Sequence, residues 1–428
     1  MTKKLPFYIR HFKVILIVIL FIKIGGHFSI VEERSVNQIF KTISRMSMTG
    51  LTILLGIKLK RFGFKTAIRF EYILPMTLYI MYLLLGLASL GWSSNWQYSG
   101  LQWLMTSECF VFVILYTRLF NVYNENLPSN KLNLVEIFSK AIFPIMLIFI
   151  IGSFVEPDTF FRSMRGGGEQ RLGGWIMNPN ELGMLAVIGA SLAFIRVQDN
   201  QQRFWSFLAM IAAVYVLLLT SSRSSVIGFA LITGILVLQS TNKKMKIAMI
   251  VISLIGLPFV LKAVVFKDDG GIEEVMSMTG RLPFWTALLN EGIVKEPWLG
   301  YGFMRINYTD YFQGLNTYPG KMTHNTFMQV LMNLGFIGFF IAFWQVITTV
   351  KTYFFHRKHL HSKFFIAIFI PVIINSFTEF GVFGESNYGI LFYQFLIILF
   401  SVKLSTNFST AEKIRIRIRD KKLKKFIG

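Results

Sequence analysis

Apolar stretches of about 20 residues recur along this chain, each long enough to cross roughly 30 Å of hydrocarbon as a helix. They read as spans over 14–30, 43–57, 70–90, 101–120, 135–154, 181–195, 204–220, 225–240, 247–266, 324–349, 364–380 and 387–402. The second has the weakest apolar signal. A composition of 54% hydrophobic and 15% charged residues exceeds what the core of a water-soluble protein would use, and a lipid-facing surface accounts for the excess. The sequence predicts an all-α polytopic membrane protein of about 12 transmembrane helices. It reads as one bundle over 1–428, with both ends in the cytoplasm and no long soluble domain.

Charge placement tests that topology independently, because positively charged loops near membrane spans stay in the cytoplasm. With the N-terminus inside, the inward segments hold 30 of the 44 Lys and Arg residues and the outward segments 12, leaving Lys23 and Lys262 within spans. The net charge of +22 is therefore largely topological and calls for no nucleic acid as partner. The basic tail at 403–428, with its Ile-Arg alternation after Lys413, is expected to lie near anionic headgroups. Cys109 is the single cysteine, so no disulfide framework and no cysteine-based metal site is available. Lys23, Gly25, Gly26 and His27 follow the first apolar segment without a small-residue cleavage site, as in an uncleaved first helix.

Three places interrupt the pattern of helix and short loop, and all three are expected on the outward face: loop 155–181, the turn at Ser221–Ser225, and the long loop 267–323 between the ninth and tenth spans. In the first, Arg162, Arg165 and Arg171 stand among Gly166, Gly167, Gly168, Gly173 and Gly174, ahead of Asn178-Pro179-Asn180-Glu181. Guanidinium forks beside glycines can grip a phosphate at a helix N-terminus, and a solvated loop is the alternative. In the second, Arg223 is wedged between two apolar spans among small hydroxyl residues. There a charge must be paired, hydrated or functional. The third carries Arg281, Trp285, Pro297-Trp298-Leu299-Gly300-Tyr301-Gly302 and Thr323-His324-Asn325. His324 is expected in the first turn of the next span, capped by Thr323, where the helix dipole favours the neutral imidazole that can accept a proton.

Arg171-Leu-Gly-Gly with Asn178-Pro-Asn, Ser222-Arg223-Ser224, Gly280-Arg281 with Trp285, Pro297-Trp-Leu-Gly-Tyr-Gly, and His324-Asn-Thr-Phe followed by Gly335 and Gly338 together resemble the O-antigen polymerase and O-antigen ligase superfamily. The resemblance runs over residues 165 to about 340. It implies a GT-C-like bundle in the bacterial cytoplasmic (inner) membrane that transfers glycans from undecaprenyl pyrophosphate on the extracytoplasmic side. It further implies Arg223 and Arg281, with Arg171 or Arg165, on the donor pyrophosphate, and His324 as general base. The implied reaction is metal-independent, needs no cofactor and inverts the anomeric carbon. Physical chemistry agrees, since arginines can neutralise a pyrophosphate leaving group and a histidine can take the acceptor's proton.

Trp285, Trp298 and Tyr301 are candidate sugar-stacking residues. Asp268-Asp269 and Glu273-Glu274 read as solvated carboxylates, and His356, His359 and His361 as part of a basic loop, so no metal site is expected. Glu379 reads as a span-end residue that snorkels or pairs. The first expectation is a polymerase that joins undecaprenyl-pyrophosphate-linked repeat units into an O-antigen, capsule or exopolysaccharide. Its partners are the lipid-linked donor and acceptor, the bilayer and a chain-length regulator. The alternatives are a ligase or oligosaccharyltransferase that hands the glycan to lipid A core or protein, and a flippase of the same lipid-linked glycan. A flippase predicts a charged path through the bundle and paired halves.

Overall fold

The computed structural model describes residues 6–65, 68–163, 170–240, a few positions between 243 and 258, 281–303, 323–355, 361–379, 381–404 and 409–427. The fold is mostly helical, with the helices α1 (Phe12–Gly25), α2 (Arg34–Arg61), α3 (Leu74–Ala88), α4 (Trp96–Asn126), α5 (Leu134–Val155), α6 (Pro179–Gln198), α7 (Arg203–Leu219) and α8 (Arg223–Gln239). There follow α9 (Arg281–Ala287), α10 (Thr326–Phe355), α11 (Ser362–Asn375), α12 (Tyr388–Ser401) and α13 (Thr410–Ile427). Among the described residues, five stretches are long and apolar enough to cross a membrane: Leu74–Gly91, α4, α5, α6 and α10. The helices α7, α8, α11 and α12 are apolar but shorter. The expected ninth span, 247–266, lies outside the described residues apart from scattered positions, as do Lys262, Asp268-Asp269, Glu273-Glu274, His356 and His359. Only parts of loops 155–181 and 267–323 are described.

The weak second span has a physical explanation. Along α2, Ile43, Leu54 and Ile57 are exposed, whereas Arg45, Thr49 and Thr52 are buried. The buried face of this helix carries polar residues as well as Leu55 and Leu59, and those polar residues within the apolar run lower its mean hydropathy. The buried face meets Lys23 of α1, whose Nζ donates to Glu108 Oε1 and Oε2 at 2.6 and 2.8 Å, and Thr49 also donates to Glu108. A charge this deep persists only when paired, so Lys23 is an internal counter-charge.

The centre of the bundle is α6 and α12, which are apolar all round and buried along nearly their whole length. Small residues let α6 approach its neighbours: a Cβ at Gly183 would lie 2.6 Å from Ser225 Oγ and 3.0 Å from Ser222 Cβ of α8. That close crossing sets the starts of α6 and α8 side by side. Asn178 caps α6 by accepting from Asn180 N at 2.9 Å, with Pro179 at the first helical position, and Ser222 caps α8.

Two small antiparallel pairs close the fold. Phe161–Ser163 pairs with Gln170–Leu172, while Ile68–Phe70 pairs with Val402–Leu404. The Ile-Arg-Ile-Arg tail, whose alternation resembles a strand, is helical as α13. It docks through Ser129 Oγ, which donates to Asp420 Oδ1 at 2.6 Å, and Arg419, which donates to Gly63 O at 2.9 Å.

The expected continuous span over 324–349 needs correction. The helix α10 starts at Thr326 and is broken at Gly335, where φ is 61° and ψ is −163°. Pro297–Gly302 fills the break: Tyr301 N donates to Met332 O at 3.0 Å, Gly302 N to Asn333 O at 2.8 Å, and Phe336 N to Pro297 O at 2.8 Å. Backbone groups freed inside a membrane helix must find partners, and here the loop supplies them. A half-helix, Thr326–Leu334, is thereby set off from the long remainder.

Candidate functional site

The site is organised around Glu379, a buried carboxylate just beyond the end of α11 and 3% exposed. Its Oε2 lies 3.1 Å from His324 Nδ1. Its Oε1 accepts from Asn180 Nδ2 at 2.9 Å and faces Arg281 Nη2 at 3.8 Å. Arg281 Nη1 donates to the neighbouring Thr378 carbonyl at 3.0 Å. Through Asn180 the network reaches Arg171, whose Nη2 donates to Asn180 Oδ1 at 2.7 Å and whose Nε donates to Thr220 O at 2.8 Å. Arg223 opens α8 just beyond Ser221 and Ser222, in the turn that packs on the start of α6. Four separate parts of the chain thus bring Arg171, Arg281 and His324 to one carboxylate. The fourth arginine, Arg165, lies with Gly166–Gly168 outside the described residues.

Helix chemistry places His324, though not as the sequence reading expects. Asn325, not Thr323, caps α10: its Oδ1 accepts from Phe327 N at 2.9 Å and Met328 N at 3.1 Å. Thr323 Oγ1 instead donates to Asn325 O at 2.8 Å. His324 stands before the cap with φ 50°, a left-handed conformation that is uncommon outside glycine but enriched for histidine. Such strain persists where its surroundings impose it. Thr326 Oγ1 donates to the Glu379 carbonyl at 3.1 Å, and Trp285 Nε1 donates to Thr323 O at 2.7 Å, clamping the histidine from both sides.

Standing outside the first turn, His324 owes its tautomer less to the helix dipole than to Glu379. An ionised carboxylate only accepts, so the proton of this contact sits on Nδ1, and Nε2 is the nitrogen turned away from Glu379. The His324 side chain is 18% exposed against 4% for that of Glu379, so the histidine is the more accessible member of the pair.

The glycines of Arg171-Leu-Gly-Gly serve a turn. Gly174 has φ 60°, and a Cβ there would lie 2.0 Å from Thr159 O. Of the aromatic candidates, Trp285 and Tyr301 spend their polar atoms on the carbonyls of Thr323 and Gly292, and Trp298 is 65% exposed against Phe336.

Residues 208–343 match the family described as O-antigen ligase. Relatives named putative polysaccharide ligase come from Rickettsia conorii (27% identical, covering 45% of this chain and 49% of the relative) and Rickettsia typhi (29%, covering 33% and 38%). A third, from Rickettsia prowazekii, is 27% identical, covering 34% of this chain and 40% of the relative. The chain is similar to the O-antigen ligase and polymerase superfamily. It spans half or less of the length of these relatives. Together with the apolar helices, the match to the O-antigen ligase family marks an integral membrane protein. The segment matched to the O-antigen ligase family holds Arg223, Arg281 and His324, while Arg171, Asn180 and Glu379 lie outside it.

Glu379 pairs, one of the two roles the sequence suggests for it, but neither it nor Asn180 is singled out there as a member of the site. A carboxylate at the end of an apolar run is by default a functional group, and that signal was present in Thr378-Glu379. Glu379→Gln keeps the shape and removes the charge facing His324 and Arg281. If the cluster carries the activity of the ligase family that residues 208–343 match, the substitution is expected to lower that activity about 10- to 100-fold, by analogy with the loss of a group that orients a metal ligand. An unchanged rate at matched protein level would reduce Glu379 to packing.

Proposed function

We propose that this protein is a membrane glycosyltransferase of the ligase type, moving a glycan from an undecaprenyl-pyrophosphate carrier to an acceptor hydroxyl at the outer face of the cytoplasmic membrane. The observation that carries the reading is the joining of His324, Arg281 and, through Asn180, Arg171 on Glu379. In this reading His324 Nε2 takes the acceptor's proton as the hydroxyl oxygen attacks the anomeric carbon. The bond from that carbon to the pyrophosphate breaks, the carbon inverts, and the leaving anion is neutralised by Arg223, Arg281 and Arg171, with Arg165 in the same loop. The family match and the relatives both carry ligase names, which puts transfer to a separate acceptor ahead of the polymerase read from the sequence. The flippase reading gains no support from polar groups gathered at the starts of α6, α8 and α10.

The test is a purified system in lipid nanodiscs with a pyrophosphate-linked glycan and candidate acceptors. A ligase gives acceptor-linked glycan and nothing longer from donor alone, whereas a polymerase builds a ladder without added acceptor. Transfer should survive EDTA. It should fall in Arg223→Lys and Arg281→Lys, because an ammonium keeps the charge but not the planar fork. Loss of transfer in EDTA with recovery on adding magnesium, or full rate in both lysine variants, would overturn the mechanism.

A further inference from the structure

At the opposite end of α6 from Asn180, sixteen residues and about 24 Å of helix rise away, Arg196 closes the helix against α5 and α7. It is 3% exposed. Its Nη1 donates to Ser139 Oγ at 3.3 Å and its Nη2 to Gln202 Oε1 at 3.0 Å, both neutral, and its Nε has no partner. Among the described residues no carboxylate lies within ion-pair distance of it; the nearest acting charge is Glu136 on α5, which is already shared by Lys13 at 2.9 Å and Lys140 at 2.7 Å, so three cations stand against one carboxylate. The last carbonyls of α6 offer only a partial negative charge. A buried guanidinium calls for a full counter-charge.

A cavity of about 180 Å³ adjoins it, lined by Arg196, Lys140, Ser139, Phe143 and Trp205. Its surroundings are greasy on the outside, with Phe204, Trp205 and Phe207 exposed at the start of α7. A mostly apolar lining that includes a tryptophan, with a glutamate-paired lysine and a buried arginine among its residues, suits a phosphate arriving with acyl chains attached.

We propose that this cavity binds the phosphate of an anionic phospholipid in the leaflet at the lysine-rich end of the bundle. The site is distinct from the Glu379 cluster, and its occupant supplies Arg196 with an ion-pair partner in addition to the shared charge of Glu136.

The test is native mass spectrometry of the full chain in detergent with phosphatidylglycerol, with phosphatidylcholine, or with inorganic phosphate alone. Wild type should retain phosphatidylglycerol over phosphatidylcholine by at least about fivefold, the factor one basic residue contributes at an anionic surface. Arg196→Gln should erase the preference, and Lys140→Gln should weaken it. If Arg196→Gln does not accumulate, Lys140→Gln decides alone. Equal retention of the two lipids by wild type, an unaltered preference in Lys140→Gln, or inorganic phosphate held as tightly as the lipid would each overturn the assignment.

Discussion

His324→Ala is expected to slow glycan transfer by about 10² to 10⁴-fold, the range general-base assistance supplies. The protein should still accumulate and melt in detergent as before. The imidazole stands before the cap of α10, and the capping bonds come from Asn325, so its removal leaves the helix start intact. In cells the untransferred glycan should collect on its lipid carrier at the outer face, because synthesis and flipping upstream are untouched. A flippase defect would trap it on the inner leaflet instead. Rate measured on purified protein at matched concentration decides the matter, and wild-type turnover in His324→Ala would remove the base from the mechanism.

The second large effect concerns stability. At Gly335 the backbone adopts φ 61°, ψ −163°, a region essentially reserved for glycine. A Cβ there would meet the carbonyl carbon and oxygen of Trp298 at 2.3 Å. Both neighbours are backbone held by the hydrogen bonds that fill the break, so neither can swing aside. Gly335→Ala is expected to cost more than about 3 kcal/mol from conformational strain and overlap together, and to show as poor accumulation or a sharply lowered melting temperature. Gly234→Ala on α8, whose Cβ would meet nothing within 4 Å, is the control and should behave as wild type. Equal melting of the two variants would mean that the break in α10 is not the native conformation.

How legible this was depended on the range over which each signal acts. Periodic burial is local, so α3 to α8, α11 and α12 follow the hydropathy of their own residues. The helix α2 gives a weak signal because part of its buried face answers to Lys23 and Glu108 in other helices. The break in α10 was hidden for the same reason. Nothing within Leu334-Gly335-Phe336 tells that Pro297–Gly302 returns to satisfy the opened backbone, and glycine alone is tolerated in membrane helices without a kink. At the site, arginines and a histidine among glycines were conspicuous by residue type. Glu379 was not, since its role comes from contacts with Asn180, Arg281 and His324, three positions distant in the chain. The cap lies two residues beyond Thr323, at Asn325, in keeping with asparagine being the stronger N-cap.

The pairing of Ile68–Phe70 with Val402–Leu404, together with Arg419 reaching Gly63, has a consequence for how the chain is made. Translation is directional, so the first partner of each contact leaves the ribosome long before the second. The helices before Ile68 must therefore wait in the bilayer with an unpaired edge strand until the chain as far as Leu404 has been inserted. A nascent chain stalled before Val402 would leave that edge open for quality-control proteases to recognise.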